Sequence, residues 1–270
     1  MVIGDLIFDN IYKLRVNMNN MQKRGQVTLF VIIGIVLIIL IGLGYYVYDL
    51  RGIGIPVETF LASNMQPVKE NAMKCMDDVG GDLLNDFISQ GGVLSPDNYL
   101  LYKGDVVPYL CSDLPGKECL NHLRTKEQME DELENAITLG MNDCIDKDIL
   151  ENIFAGYEYN IGDISTDVQI MDAGVLLEVD YPVELTKKGY TEKLDTLNEN
   201  IEIPLGGMYD VVYDILQQRT VGGDFETVPY MLENRGEFEI TVDKPYPDDV
   251  YIINAKNSDY KFQFAIEGVE

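Results

Sequence analysis

Four cysteines, Cys75, Cys111, Cys119 and Cys144, and a single histidine, His122, are the side chains of this 270-residue chain best suited to chemistry. A Ser-His-Asp or Cys-His set would have to use His122, which sits in Cys119-Leu120-Asn121-His122 and reads as a loop side chain. The cysteines lack a Cys-x-x-Cys pair, so redox catalysis is disfavoured, and their spacings lack the close ligand pair of a zinc site. Disulfides are the expected chemistry. Four cysteines allow three connectivities. The favoured one joins Cys111 to Cys119 around Pro115-Gly116 and Cys75 to Cys144 between two helical stretches.

Other chemical motifs are missing. There is no Gly-x-Ser-x-Gly elbow, no phosphate loop ending Gly-Lys-Ser/Thr and no dinucleotide fingerprint. Gly206-Gly207 and Gly222-Gly223 read as turns and caps. The 46 acidic residues make some close carboxylate pair inevitable, so such a pair by itself does not indicate glycosidase chemistry. The stretch from Asp243 to Asp249 has clustered oxygens but not the alternating ligands of a calcium loop, and reads as a proline-rich turn. No catalytic residue, metal or cofactor is expected.

These residues must be held by a sizeable core, which a 46% hydrophobic composition supplies. The formal charge is −26, and the six charged residues before the main apolar segment sum to +2, leaving −28 on the rest. Such a surface repels nucleic acid and anionic lipid headgroups.

From Val27 to Val47 the chain carries 21 uncharged, mostly apolar residues. As a helix they would span about 31 Å, a bilayer core. Tyr45, Tyr46 and Tyr48 suit the interface, and Lys13, Arg15, Lys23 and Arg24 precede the segment, which predicts an internal N-terminus. The expected organisation is a cytoplasmic segment 1–26, a transmembrane helix 27–48, a linker 49–66, a helical cysteine-containing part 67–161 and a strand-rich part 162–270. All four cysteines then lie outside the cytoplasm, where disulfides persist.

Apolar spacing predicts a helix from Pro67 to Ser89, bent at Gly80-Gly81 and stopped by Gly91-Gly92, and a second from Lys126 to Cys144 with Thr125 and Gln128 as a capping box. A short helix follows near 147–154. Beyond Gly162 the period becomes two: Val175 to Leu185 alternates, Asp172-Ala173-Gly174 marks a hairpin, and Pro182 places that strand at an edge. Ile201 and Ile203 suggest a strand, Met208 to Gln218 a helix, and residues 238–242, 250–253 and 260–266 strands. The fold class is therefore α+β, with a helical and a mainly antiparallel subdomain divided near Gly162.

At Lys23-Arg24-Gly25-Gln26-Val27-Thr28-Leu29-Phe30 the chain resembles the prepilin-type signal of archaeal pilins. That resemblance implies cleavage after Gly25, leaving Gln26 first; the alternative is an uncleaved anchor. Phe30 stands where pilins carry a glutamate associated with assembly. More widely, Gln26 to Phe30, Gln90-Gly91-Gly92, Val107-Pro108-Tyr109 and Asn142-Asp143-Cys144 resemble an uncharacterised family of archaeal single-pass membrane proteins. The family implies topology and archaeal origin, and no activity.

Three functional classes follow as expectations. The first is a non-catalytic cell-surface binding or adhesion module, anchored in the lipid bilayer through residues 27–48 and meeting a surface protein or glycan. The second is a pilin-like filament subunit, a homo-oligomer. The third is a carboxylate-based hydrolase of envelope polymers.

Overall fold

A computed structural model describes residues 32–41, 57–114, 117–145, 150, 152, 154–234, 237–256 and 259–268. The chain divides into two compact units, 1–56 and 57–270. In the first, residues 32–41 are helical and expose Ile32, Leu37, Ile38 and Ile41. Among the described residues no helix is long and apolar enough to cross a membrane. The rest of the 27–48 segment, together with Gly25 and Gln26, lies outside the described residues.

The second unit opens with helix α1, Val57–Ser89, 33 residues long with Pro67 inside it. Ten residues assigned to a linker are therefore helical, although Pro67 has no N–H to donate to the turn before it. Nor does Gly80-Gly81 interrupt α1. The helix ends in a Schellman motif: Gly92 N–H donates to Phe87 O (2.8 Å) and Gly91 N–H to Ile88 O (3.1 Å), both glycines having positive φ.

Helix α2, Lys126–Cys144, begins with the expected box: Thr125 Oγ1 accepts from Gln128 N–H and Gln128 Oε1 accepts from Thr125 N–H. Its stripe of Met129, Leu133, Ile137 and Met141 is fully buried. Where α1 and α2 cross, a side chain on Gly140 would strike Val79 Cγ1 at 2.5 Å. Helix α3 is Leu205–Thr220 and α4 is Thr227–Glu233.

Six strands, β1 (Tyr99–Tyr102), β2 (Asp105–Leu114), β3 (Lys117–Asn121), β8 (Phe238–Asp243), β9 (Asp249–Ala255) and β10 (Lys261–Ile266), form one sheet ordered β1-β2-β10-β9-β8, with β3 also on β2. The first three fall in the stretch expected to be helical. The β10–β2 pair is parallel and sets the last strand beside the hairpin that follows α1. Tyr102 OH donates to Asp243 Oδ2 at 2.8 Å although β1 and β8 are opposite edges. Strands stand about 4.8 Å apart, so a flat sheet would keep these edges about 19 Å apart, and the contact shows that this sheet curls.

The second sheet contains β4 (Glu158–Ile161), β5 (Ser165–Ile170), β6 (Val175–Lys187) and β7 (Tyr190–Ile201). β6 is central, pairing with β7 along one edge and with β5 and β4 in turn along the other. Pro182 is thus in a central strand, not at an edge. It is accommodated because it falls in the register shift between Asp180 and Val183, where the ladder to β7 is interrupted.

Helix α1 packs on β6 and β7 and also touches β10, while α2 packs on β5. One continuous core therefore takes residues from both parts, such as Phe87, Met129, Leu177 and Phe264, and the α+β unit is not split near Gly162.

Candidate functional site

The alternation along β6 puts Val175, Leu177, Val179, Tyr181, Val183 and Leu185 on the covered face. Five of these are aliphatic. Tyr181 is only 1% exposed, yet its hydroxyl has no hydrogen-bond partner among the described residues. It lies where β6 passes from β5, which pairs as far as Asp180, to β4, which pairs from Val183. The link between β4 and β5 crosses at this point: Gly162 N–H donates to Pro182 O at 2.8 Å, and any side chain at Gly162 would meet Pro182 Cγ at 2.6 Å.

The break in pairing leaves a cavity of about 320 Å³ lined by Tyr181, Asn142, Ile145, Leu150, Tyr159 and the segment from Ile161 to Ile164. Asn142 belongs to the last turn of α2, and Ile145 caps that helix with its N–H on Met141 O. Tyr159 lies beside Phe154, ring centres 5.2 Å apart, and is half-exposed. Among the described residues of the lining, Asp163 is the one that carries a charge. Burial pushes the Tyr181 phenol up to about 12, so it stays a hydrogen-bond donor at neutral pH. A second buried hydroxyl on the same face, Thr166 Oγ1, also lacks a partner among the described residues. The alternation of β6 was visible in the sequence, but the cavity was not, because it depends on the exchange of β5 for β4 beside Tyr181.

The four cysteines form two disulfides, Cys75–Cys144 with Cα atoms 5.8 Å apart and Cys111–Cys119 with Cα atoms 5.3 Å apart. The first joins α1 to the end of α2. Beside the second, Ser112 Oγ lies 2.6 Å from His122 Nε2. This resembles half of a nucleophile–base arrangement, but His122 is exposed, and among the described residues no carboxylate orients its other ring nitrogen.

The carboxylates are dispersed. Asp243 accepts from Tyr102 and Lys103, Asp248 from Tyr109 OH (2.8 Å) and Gly268 N–H (3.0 Å), and Asp249 faces Lys244 and Arg219. The acidic 243–249 stretch thus spends its oxygens on three separate partner sets. Among the described residues no cluster of three potential ligands is placed to hold a metal. Glu130 and Glu134 on α2 accept from the outward amides of Ile170 (2.8 Å) and Val168 (3.2 Å), sealing the free edge of β5. Sequence spacing gave no sign of this role.

The motifs behind the family resemblance partly converge. Gly91 abuts Pro108, where an added side chain would meet Pro108 Cγ at 2.6 Å and Gln263 O at 2.7 Å. Comparison with known proteins finds no matching family model, no similar curated protein and no similar solved structure.

Proposed function

We propose that the chain is a non-catalytic binding or adhesion module displayed outside the cytoplasm and anchored in the lipid bilayer through residues 27–48, with its N-terminus inside. The observation that carries this reading is the pair of disulfides in the 57–270 unit, above all Cys75–Cys144, which ties its two longest helices together. Such crosslinks belong to oxidising compartments. The uncharged run from Val27 to Val47 and the basic residues before it support the anchor and its orientation.

The dispersal of carboxylates among backbone amides, tyrosines and lysines favours a rigid scaffold over an acid–base site. Its partner is a surface protein or glycan, not a nucleic acid, given a formal charge of −26. The test is non-reducing peptide mass spectrometry of full-length protein from its native membrane, with thiol labelling by a membrane-impermeant reagent after reduction. A Cys75–Cys144 peptide labelled only from outside is expected. Four free thiols would overturn the external placement, and a mature N-terminus at Gln26 would favour a filament subunit.

A further inference from the structure

We propose that the turn of the β6–β7 hairpin, with the start of β4 beside it, rests in the phospholipid headgroup layer, its tyrosine rings at the boundary of the apolar core and its lysines on headgroup phosphates. The proposal deepens the surface-module reading and rests on the anchor at residues 27–48.

Placement along α1 is the first observation. Leu177 of β6 lies against Gly80, where an added side chain would meet Leu177 Cδ1 at 2.7 Å. Further along β6, Tyr181 shares a cavity lining with Asn142 and Ile145, which flank Cys144 and its bridge to Cys75. The strand therefore runs towards the start of α1, and at about 3.3 Å per residue Lys187 lies about 20 Å past Tyr181. Val57 is about 27 Å of helix ahead of Cys75, so the hairpin turn is level with the point where the chain enters the unit. From Val47, the end of the uncharged run, to Val57 the backbone reaches at most about 36 Å, which keeps a bilayer crossed by that run within range of this end.

Residue type is the second observation. Tyr190 pairs directly with Lys187, and Lys187 Nζ lies 4.0 Å from the centre of the Tyr157 ring, which gives a Tyr-Lys-Tyr row across three strand ends. Tyr190 and Tyr159 are each 46% exposed, and Lys188 is exposed at the turn itself. Tyrosine and lysine are side chains that settle at a membrane interface, with an apolar body and a polar tip. The chain's overall charge repels anionic lipid, so the contact is local. Residues 186–191 hold two lysines and no carboxylate, while Glu158, Glu184 and Glu192 stand on the strands behind the turn. At physiological salt a phosphate responds chiefly to charges within about 8 Å, which favours the lysines it touches.

The chain contains no tryptophan, so a single introduced indole is an unambiguous reporter. Full-length Tyr190→Trp is placed in phosphatidylcholine nanodiscs with and without lipid carrying a spin label on its headgroup. Tyr99→Trp is the control: Tyr99 is 47% exposed on β1, which follows the opposite end of α1. The Tyr190→Trp emission should be quenched by the labelled lipid and the Tyr99→Trp emission should not. Tyr159→Trp is a second reporter should the first variant fold poorly. Adding Lys188→Glu to Tyr190→Trp should restore emission, because it sets a carboxylate among phosphates.

Quenching that is absent at the hairpin turn, equal at Tyr99→Trp, or indifferent to Lys188→Glu would overturn the proposal. Retention of the protein by the nanodisc separates the two failures. Protein that is retained with an unquenched Tyr190→Trp sinks the headgroup contact alone, whereas protein that does not enter the disc sinks the anchor and the contact with it.

Discussion

Gly80 and Gly81 are neighbours in α1 with opposite surroundings. A methyl on Gly80 would meet Leu177 Cδ1 at 2.7 Å, and Leu177 is fully buried in β6, whereas nothing lies within 4 Å of the same position on Gly81. Gly81→Ala should therefore stabilise the unit by about 0.5–1 kcal/mol, and Gly80→Ala should cost about 1–3 kcal/mol, as read from urea unfolding midpoints. The pair suggested a bend in the sequence because close approach to a strand nearly a hundred residues away leaves no local mark. Tyr181→Phe makes a similar point about polarity. Removing a hydroxyl that is buried without a partner among the described residues should raise stability by about 1 kcal/mol in the same assay.

At the scale of elements, α2 was legible because its signals are local: Thr125 and Gln128 are three residues apart and its buried stripe is periodic. The second role of α2 was not legible, since Glu130 and Glu134 look like solvated acids until β5 is placed beside them. Glu130→Ala and Glu134→Ala should each cost about 1–3 kcal/mol, and hydrogen exchange should accelerate at the Ile170 and Val168 amides respectively. Strand β7 was reduced to its end because only Leu194 and Leu197 among its 12 residues are buried, which destroys alternation. Two hairpins are marked by their turns alone. Lys103-Gly104 and Lys188-Gly189 both have positive φ at both positions, as a two-residue type I′ turn requires, and they join β1 to β2 and β6 to β7.

For the whole molecule, the crosslinks and the tyrosines set the response to denaturants. The Cys75–Cys144 bridge spans 69 positions and the Cys111–Cys119 bridge 8. In the chain-entropy model they contribute about 4 and about 2.5 kcal/mol, so replacing the first pair by serine should lower the urea midpoint more than replacing the second. Burial raises the Tyr109, Tyr181, Tyr230 and Tyr251 phenols above their ordinary value. Their contribution is complete below about pH 10 and is lost as pH climbs through the raised values, so tyrosinate absorbance from them should appear together with alkaline unfolding. On the acid side, the hydrogen bond from Lys261, helped by Gln263, holds Asp105 below the usual carboxylate range. That contribution is present above about pH 4 and fades as pH falls through the lowered value, and Asp105→Asn should remove it from an acid titration of stability.

The position of Cys75 within α1 has a mechanical consequence. The chain enters this unit at Val57, and a force applied through that end meets α1 first. Unwinding can release only the turns ahead of Cys75, about 27 Å of helix, before tension reaches a covalent bond to the end of α2. Beyond that point the pull is shared between two helices instead of peeling one. A tether with a fixed length of give would protect the sheets and the Tyr181 cavity from shear, and chemical reduction would turn this shock absorber into a chain that unravels.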